Sequence, residues 1–182
     1  MRKCCVSWFR SIRPAIAALA LFAVAGPPAA QAQDGNPWQV RQSGVRIFDY
    51  GIYAYSDLGF VEAPEDISGR RFAAADVRLL RRTQTILAQS GLAFGMRFRV
   101  RDPGLIGKTL TLVMRFPRMT DPRTGRSGDV LFDRFVAIGI VRRQLFRFDH
   151  LWEMAEGRWT MTLLDGRRVV AEVPFKVVVA FN

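Results

Sequence analysis

From Gly157 the chain alternates: Trp159, Met161 and Leu163 fall on one side of an extended backbone, Arg158, Thr160 and Thr162 on the other. That period of two marks a half-buried strand. Val169, Ala171, Val173, Phe175 and Val177 repeat it after Asp165-Gly166, so the end of the chain reads as a β-hairpin. Asp-Gly invites a two-residue type I′ turn. A two-residue loop there would set Trp159 opposite Glu172 and Leu163 opposite Arg168, bringing charge onto the apolar face. A three-residue loop, Leu164 to Gly166, keeps parity. It sets Trp159 beside Ala171 and Met161 beside Val169, and it predicts a positive φ at Gly166. Trp159 is the expected most buried aromatic.

The same rhythm recurs upstream. Residues 45–56 alternate loosely around Gly51, which predicts an edge strand with a bulge or kink. Ser56 to Ala75 carries Gly59, Pro64 and Gly69 among mixed charges without a period, and reads as a long surface excursion. Asp76 to Gly91 admits two readings: a helix capped by Asp76, or a strand through Val77, Leu79, Arg81, Thr83, Thr85 and Leu87; the strand is preferred. Phe94, Met96, Phe98 and Val100 alternate with arginines in a clear strand, and Asp102-Pro103-Gly104 turns the chain. Leu110, Leu112, Met114 and Phe116 form the next inner face, stopped by Pro117. A loop over Arg118–Asp129 follows, then a strand from Val130 with Phe135 in the core, then Phe146 and Phe148. Seven or eight short strands and no convincing helix predict an all-β fold, an antiparallel immunoglobulin-like β-sandwich.

The first residues change the picture of where the protein works. Arg2, Lys3, Arg10 and Arg13 precede an apolar run, Ala15 to Ala25, and an Ala30-Gln31-Ala32 cleavage pattern. Together they predict a cleaved signal peptide over 1–32, a flexible leader over 33–44 and one sandwich domain over 45–182. The expected location is the periplasm or the medium, with no transmembrane span after cleavage. Cys4 and Cys5 leave with the signal, so disulfides, thiol catalysis and cysteine-ligated metals are set aside. Losing those four cations takes the net charge from +11 to +7. A basic balance suits anionic neighbours. Lys108 and Lys176 are the only lysines after the signal, so arginine-rich composition accounts for the same excess.

Candidate chemistry is thin. His150 is the only histidine, and Asp149 and Glu153 lie near it, but adjacent strand residues point to opposite faces. Asp121, Asp129 and Asp133 share their region with Arg123, Arg126 and Arg134, a poor cation cage. Glu153 and Glu156 sit three apart beside a turn, a poor glycosidase couple. No serine stands in a nucleophile elbow and no glycine-rich phosphate loop opens a helix. No cofactor, no metal and no nucleic-acid partner is expected. The feature that survives is an outward row of Arg97, Arg99 and Arg101, joined by Arg115 from the next strand: an anion-binding face, or a solvated surface that keeps an edge from aggregating.

Several stretches carry a resemblance: FDYGIY at Phe48–Tyr53, FGMRFRV at Phe94–Val100, Arg115–Pro117 followed by DPRTG, and WEMAEGRW leading to Phe175 and Val177. Together they resemble the uncharacterised bacterial family known as domain of unknown function 3859, over roughly Val45 to Val178. The resemblance implies an immunoglobulin-like sandwich and brings no catalytic residues. The expectation is a non-catalytic binding module that docks an envelope protein or an anionic envelope component through the arginine row or the loops. The alternative is a small periplasmic enzyme with its site around His150.

Overall fold

The computed structural model describes residues 36–180. Ten strands run through them: β1 (Arg41–Gln42), β2 (Val45–Glu62), β3 (Arg70–Arg82), β4 (Thr85–Leu87), β5 (Ala93–Val100), β6 (Thr109–Thr120), β7 (Ser127–Val136), β8 (Val141–Arg147), β9 (Gly157–Asp165) and β10 (Arg168–Val178). One turn of 3-10 helix, Leu151–Glu153, stands between β8 and β9. One sheet has the order β1-β10-β9-β6-β7, with β4 added in parallel to β10; the other has the order β3-β2-β5-β8. The remaining pairings are antiparallel. The fold is an immunoglobulin-like β-sandwich.

The inner faces of the two sheets meet in one aromatic core. Trp159 is the largest fully buried side chain, yet Phe94, Phe148 and Phe175 are buried at least as completely. Its ring centroid lies 4.9 Å from Phe116, 5.0 Å from Phe146 and 5.6 Å from Phe94. Its indole N–H donates to the Ala155 carbonyl at 2.9 Å, which removes the cost of burying that donor. Gly166 has the expected positive φ, 60°. The register differs from the expected one. Asp165 pairs with Arg168, so the loop is two residues, Gly166 and Arg167, and a bulge at Val170 then restores parity. Trp159 therefore faces Phe175, and Met161 faces Val173. The apolar faces match, as the alternation demanded, but a bulge does what a longer loop was expected to do.

Three upstream expectations are corrected. β2 is an interior strand between β3 and β5, not an edge. The stretch Ser56–Ala75 is no surface excursion, since most of it lies in the hairpin of β2 and β3. Register shifts after Ala54 and Asp57 break the period of two there, and neither face is uniformly buried. Pro117 does not stop β6, which runs to Thr120; the proline, lacking an N–H, sits where pairing with β7 skips from Arg115 to Met119. The strand reading of Asp76 to Leu87 holds, as β3 and β4. Residues 41 and 42, within the stretch read as a leader, pair with β10, while the signal reading falls outside the described residues.

The β2–β3 hairpin positions everything that follows. Pairing of β2 with β5 ends at Tyr53, and beyond it the hairpin continues as an arm. Two residues before that pairing ends stands Gly51, where φ is 136° and an added Cβ would lie 2.1 Å from the Arg81 carbonyl oxygen. The arm reaches back over β8: Arg147 donates to Asp57 at 2.6 Å and Arg143 donates to the Ala74 carbonyl at 3.3 Å. Its tip reaches the other sheet, where Arg126 donates to the Pro64 carbonyl and Arg71 donates to that of Phe132 on β7. Ile67 at the tip enters the common core.

Candidate functional site

The four arginines singled out by the alternation do not form one surface. Arg97 and Arg99 project from the outer face of β5, and Arg101 is exposed just past its end. Arg115 is on β6, in the opposite sheet, so it does not join the row. Arg97 is also not free. A bulge at Phe48 shifts β2 so that Asp49, only 6% exposed, falls opposite Arg97. The guanidinium grips the carboxylate through two nitrogens, with Nε 2.9 Å from Oδ1, and the Tyr53 hydroxyl donates to the same carboxylate at 2.6 Å. Arg99 lies with its guanidinium carbon 5.9 Å from the Phe48 ring centroid, and its Nε is out of contact with solvent and without a partner among the described residues.

Basic character passes instead to β8. Arg143 is exposed and pairs across from Arg97, while Arg142 reaches toward β7 with its guanidinium carbon 4.1 Å from the Phe135 ring centroid. Neither forms an ion pair with a described residue. Together with Arg97, Val77, Ile140 and Val141 they line an open cleft of about 540 Å³ between β8 and the arm. That is the size of a binding site, and it mixes apolar wall with cationic heads. The sequence reading missed these two arginines because the apolar residues of β8, Val141, Leu145 and Phe146, are too few and too irregular to show a period of two. The usable signal was the pair Arg142-Arg143 directly after Ile138, Ile140 and Val141.

The His150 cluster is built for local structure. Glu153 is buried, and its Oε2 accepts the backbone N–H groups of Asp149 at 2.6 Å and His150 at 2.9 Å, closing the turn that enters the 3-10 segment. Burial holds its carboxyl above the ordinary value against those two bonds. His150 stacks on Trp152 at 5.6 Å, and its Nε2 lies 3.5 Å from Arg70. Asp149 is taken by Arg147, whose Nε donates to it at 2.6 Å. A cavity bounded by Asp149, Glu153, Trp152 and the arm tip holds only about 50 Å³, room for a few waters. The three groups therefore do not converge on a substrate-sized space.

The family model described as a domain of unknown function, DUF3859, matches residues 41–177. The chain belongs to this family. The match begins at the first residue of β1 and ends one residue before the end of β10, so the DUF3859 domain takes in the whole sandwich, arm included. Among solved structures, the chain is similar to an immunoglobulin-like protein from Pseudomonas aeruginosa, with 22% identity over 76% of this chain and 98% of that one and a TM-score of 0.49. No curated protein matches the chain in sequence.

Proposed function

We propose that this DUF3859 protein is an exported, non-catalytic binding module that docks an envelope protein or an anionic envelope component. The basic, apolar and A-x-A stretches of the first 32 residues support export. The observation that carries the docking surface is the cleft between β8 and the arm, where Arg142 and Arg143 stand without carboxylate partners among the described residues, beside Ile140, Val141 and Val77. Arg97, neutralised by Asp49, serves as its wall rather than its main charge. Arg99, Arg101 and Arg115 lie outside it. Glu153 caps the turn before β9, the Asp149 carboxylate is held by Arg147 and the His150 ring stacks on Trp152, which supports the non-catalytic reading.

The test compares three folded proteins as baits for detergent-solubilised envelope: wild type, Arg142→Glu with Arg143→Glu, and Arg115→Glu as a control on the opposite sheet. Material should be retained by the wild type and by the control and lost from the double variant. Equal retention by all three, or none by the wild type, would sink the proposal.

A further inference from the structure

We infer that the free edge of β8 takes up an extended, acidic segment of a partner protein as an added strand, an inference that rests on the docking surface proposed above. Among the described residues β8 pairs with β5 alone. The direction of its backbone groups follows from the ladder. The Phe148 N–H donates to the Leu92 carbonyl at 3.2 Å, and the same register continues through Phe94 with Phe146, Met96 with Gln144 and Phe98 with Arg142. In an antiparallel pair, bonded positions alternate with unbonded ones. Val141, Arg143 and Leu145 therefore turn their N–H and C=O groups away from β5. Those are the groups a further strand would pair with.

There is room for one. A second opening, of about 190 Å³, lies against Arg143, Gln144 and Leu145 and is bounded by Phe72 and Ala74 of the arm and Asp133 of β7. It shares Arg143 with the larger cleft, so space follows the β8 edge from Ile140 to Leu145. The contact of Arg71 with Phe132 bridges arm and β7 near its far end, which sets a short segment as the fitting length.

Charge and polarity select the segment. Side chains of an added strand would alternate, one set toward Arg143 and the arm and the other toward Arg142. Neither arginine has a carboxylate partner among the described residues, Arg143 donating only to the Ala74 carbonyl, and carboxylates on the segment would supply them. Arginines alone could serve only to repel stray strands. Here they stand beside Ile140 and Val141, which are 52% and 44% exposed, a contact surface that a purely protective edge would not keep. A second copy of the chain is a poor occupant, because its own β8 would bring arginines to face arginines.

The experiment uses the purified protein and a short fluorescent peptide of alternating valine and glutamate. A second peptide is N-methylated on alternate amides, which preserves charge and removes strand pairing, and vesicles of phosphatidylglycerol form the third arm. The plain peptide should bind saturably, the N-methylated peptide should bind about tenfold or more weakly, and Arg142→Glu with Arg143→Glu should weaken the plain peptide by a similar factor. Hydrogen exchange of the Val141, Arg143 and Leu145 amides should slow on binding. If both peptides bind equally, or only the vesicles bind, strand addition fails while anionic docking stands. If neither peptide nor vesicle binds, both readings fail.

Discussion

Asp49 shows how one added residue in a strand decides where a charge goes. Val45 and Ile47 point inward, and simple alternation would send Asp49 in after them. The bulge at Phe48 reverses the parity, so Tyr50 and Ile52 pack on the core and Asp49 emerges opposite Arg97. Burial pushes the Asp49 carboxyl up, but hydrogen bonds from Arg97 and Tyr53 and the charges of Arg97 and Arg82 outweigh it and hold it below its ordinary value. A lowered carboxyl contributes stability that is complete above the unfolded-state value and is lost as pH falls through the folded one. Asp49→Asn should cost about 1–3 kcal/mol near neutral pH, less than a fully buried pair because the Arg97 side chain is 36% exposed. In urea titrations the gap from wild type should stay constant down to about pH 4 and close only below it. A gap that closes between neutrality and pH 5 would contradict this assignment. The sequence announced a bulge or kink in this strand but at Gly51, whereas the one that reverses the parity lies at Phe48. The pairing of Asp49 with Arg97 was not legible, because it needs the register of a strand some 45 residues away.

At the scale of elements, the sequence disclosed the strands that bury one face and hid the ones that do not. β5, β9 and β10 each bury an apolar row whose period of two is readable, broken in β10 only by the bulge at Val170, which leaves Val169 exposed. The arm has partial burial on both faces and repeated register shifts, so its text looked like a loop. Its anchor was equally hidden. Arg147 is 6% exposed, held between Asp57 and Asp149, with its guanidinium carbon 4.9 Å from the Phe72 ring centroid, 5.1 Å from Phe60 and 5.7 Å from Tyr55. Asp149 is near in sequence, but no local pattern reveals that Asp57 and the three rings come from the other end of the domain. The role of Arg147 predicts an asymmetry. Arg147→Ala should cost about 3 kcal/mol in chemical denaturation, since it removes both the charge of a buried cluster and the packing of its stem against three rings. Asp57→Ala should have little effect, because that carboxylate is half exposed and Asp149 remains. Equal losses in the two variants would mean that the ion pair with Asp57, rather than the aromatic seat, holds the arm.

Across the whole molecule, opposing charge effects can be ranked. Net charge is +11, and the fold sets arginines directly opposite one another at Arg46 with Arg99 and at Arg97 with Arg143. Like charges across a ladder repel. Against this stand ion pairs of two kinds. Lys108 and Arg168 with Asp165 are exposed pairs of small worth that salt weakens further. Asp49 with Arg97, Asp66 with Arg71 and the Arg147 cluster each contain a buried partner and are screened far less. Salt therefore removes mostly repulsion. Raising sodium chloride from about 10 to 200 mM, which shortens the Debye length from about 30 Å to less than 10 Å, should raise the melting temperature. A relief of about 1 kcal/mol corresponds to about 2–4 °C for a domain of this size. A melting temperature that falls over the same range would show that the exposed pairs outweigh the arginine repulsion. The same screening should weaken capture of an acidic partner at Arg142 and Arg143, so stability and binding should move in opposite directions with salt. That opposition would separate internal anchors such as Arg147, nearly insensitive to ionic strength, from the proposed docking groups on β8, which would depend on it.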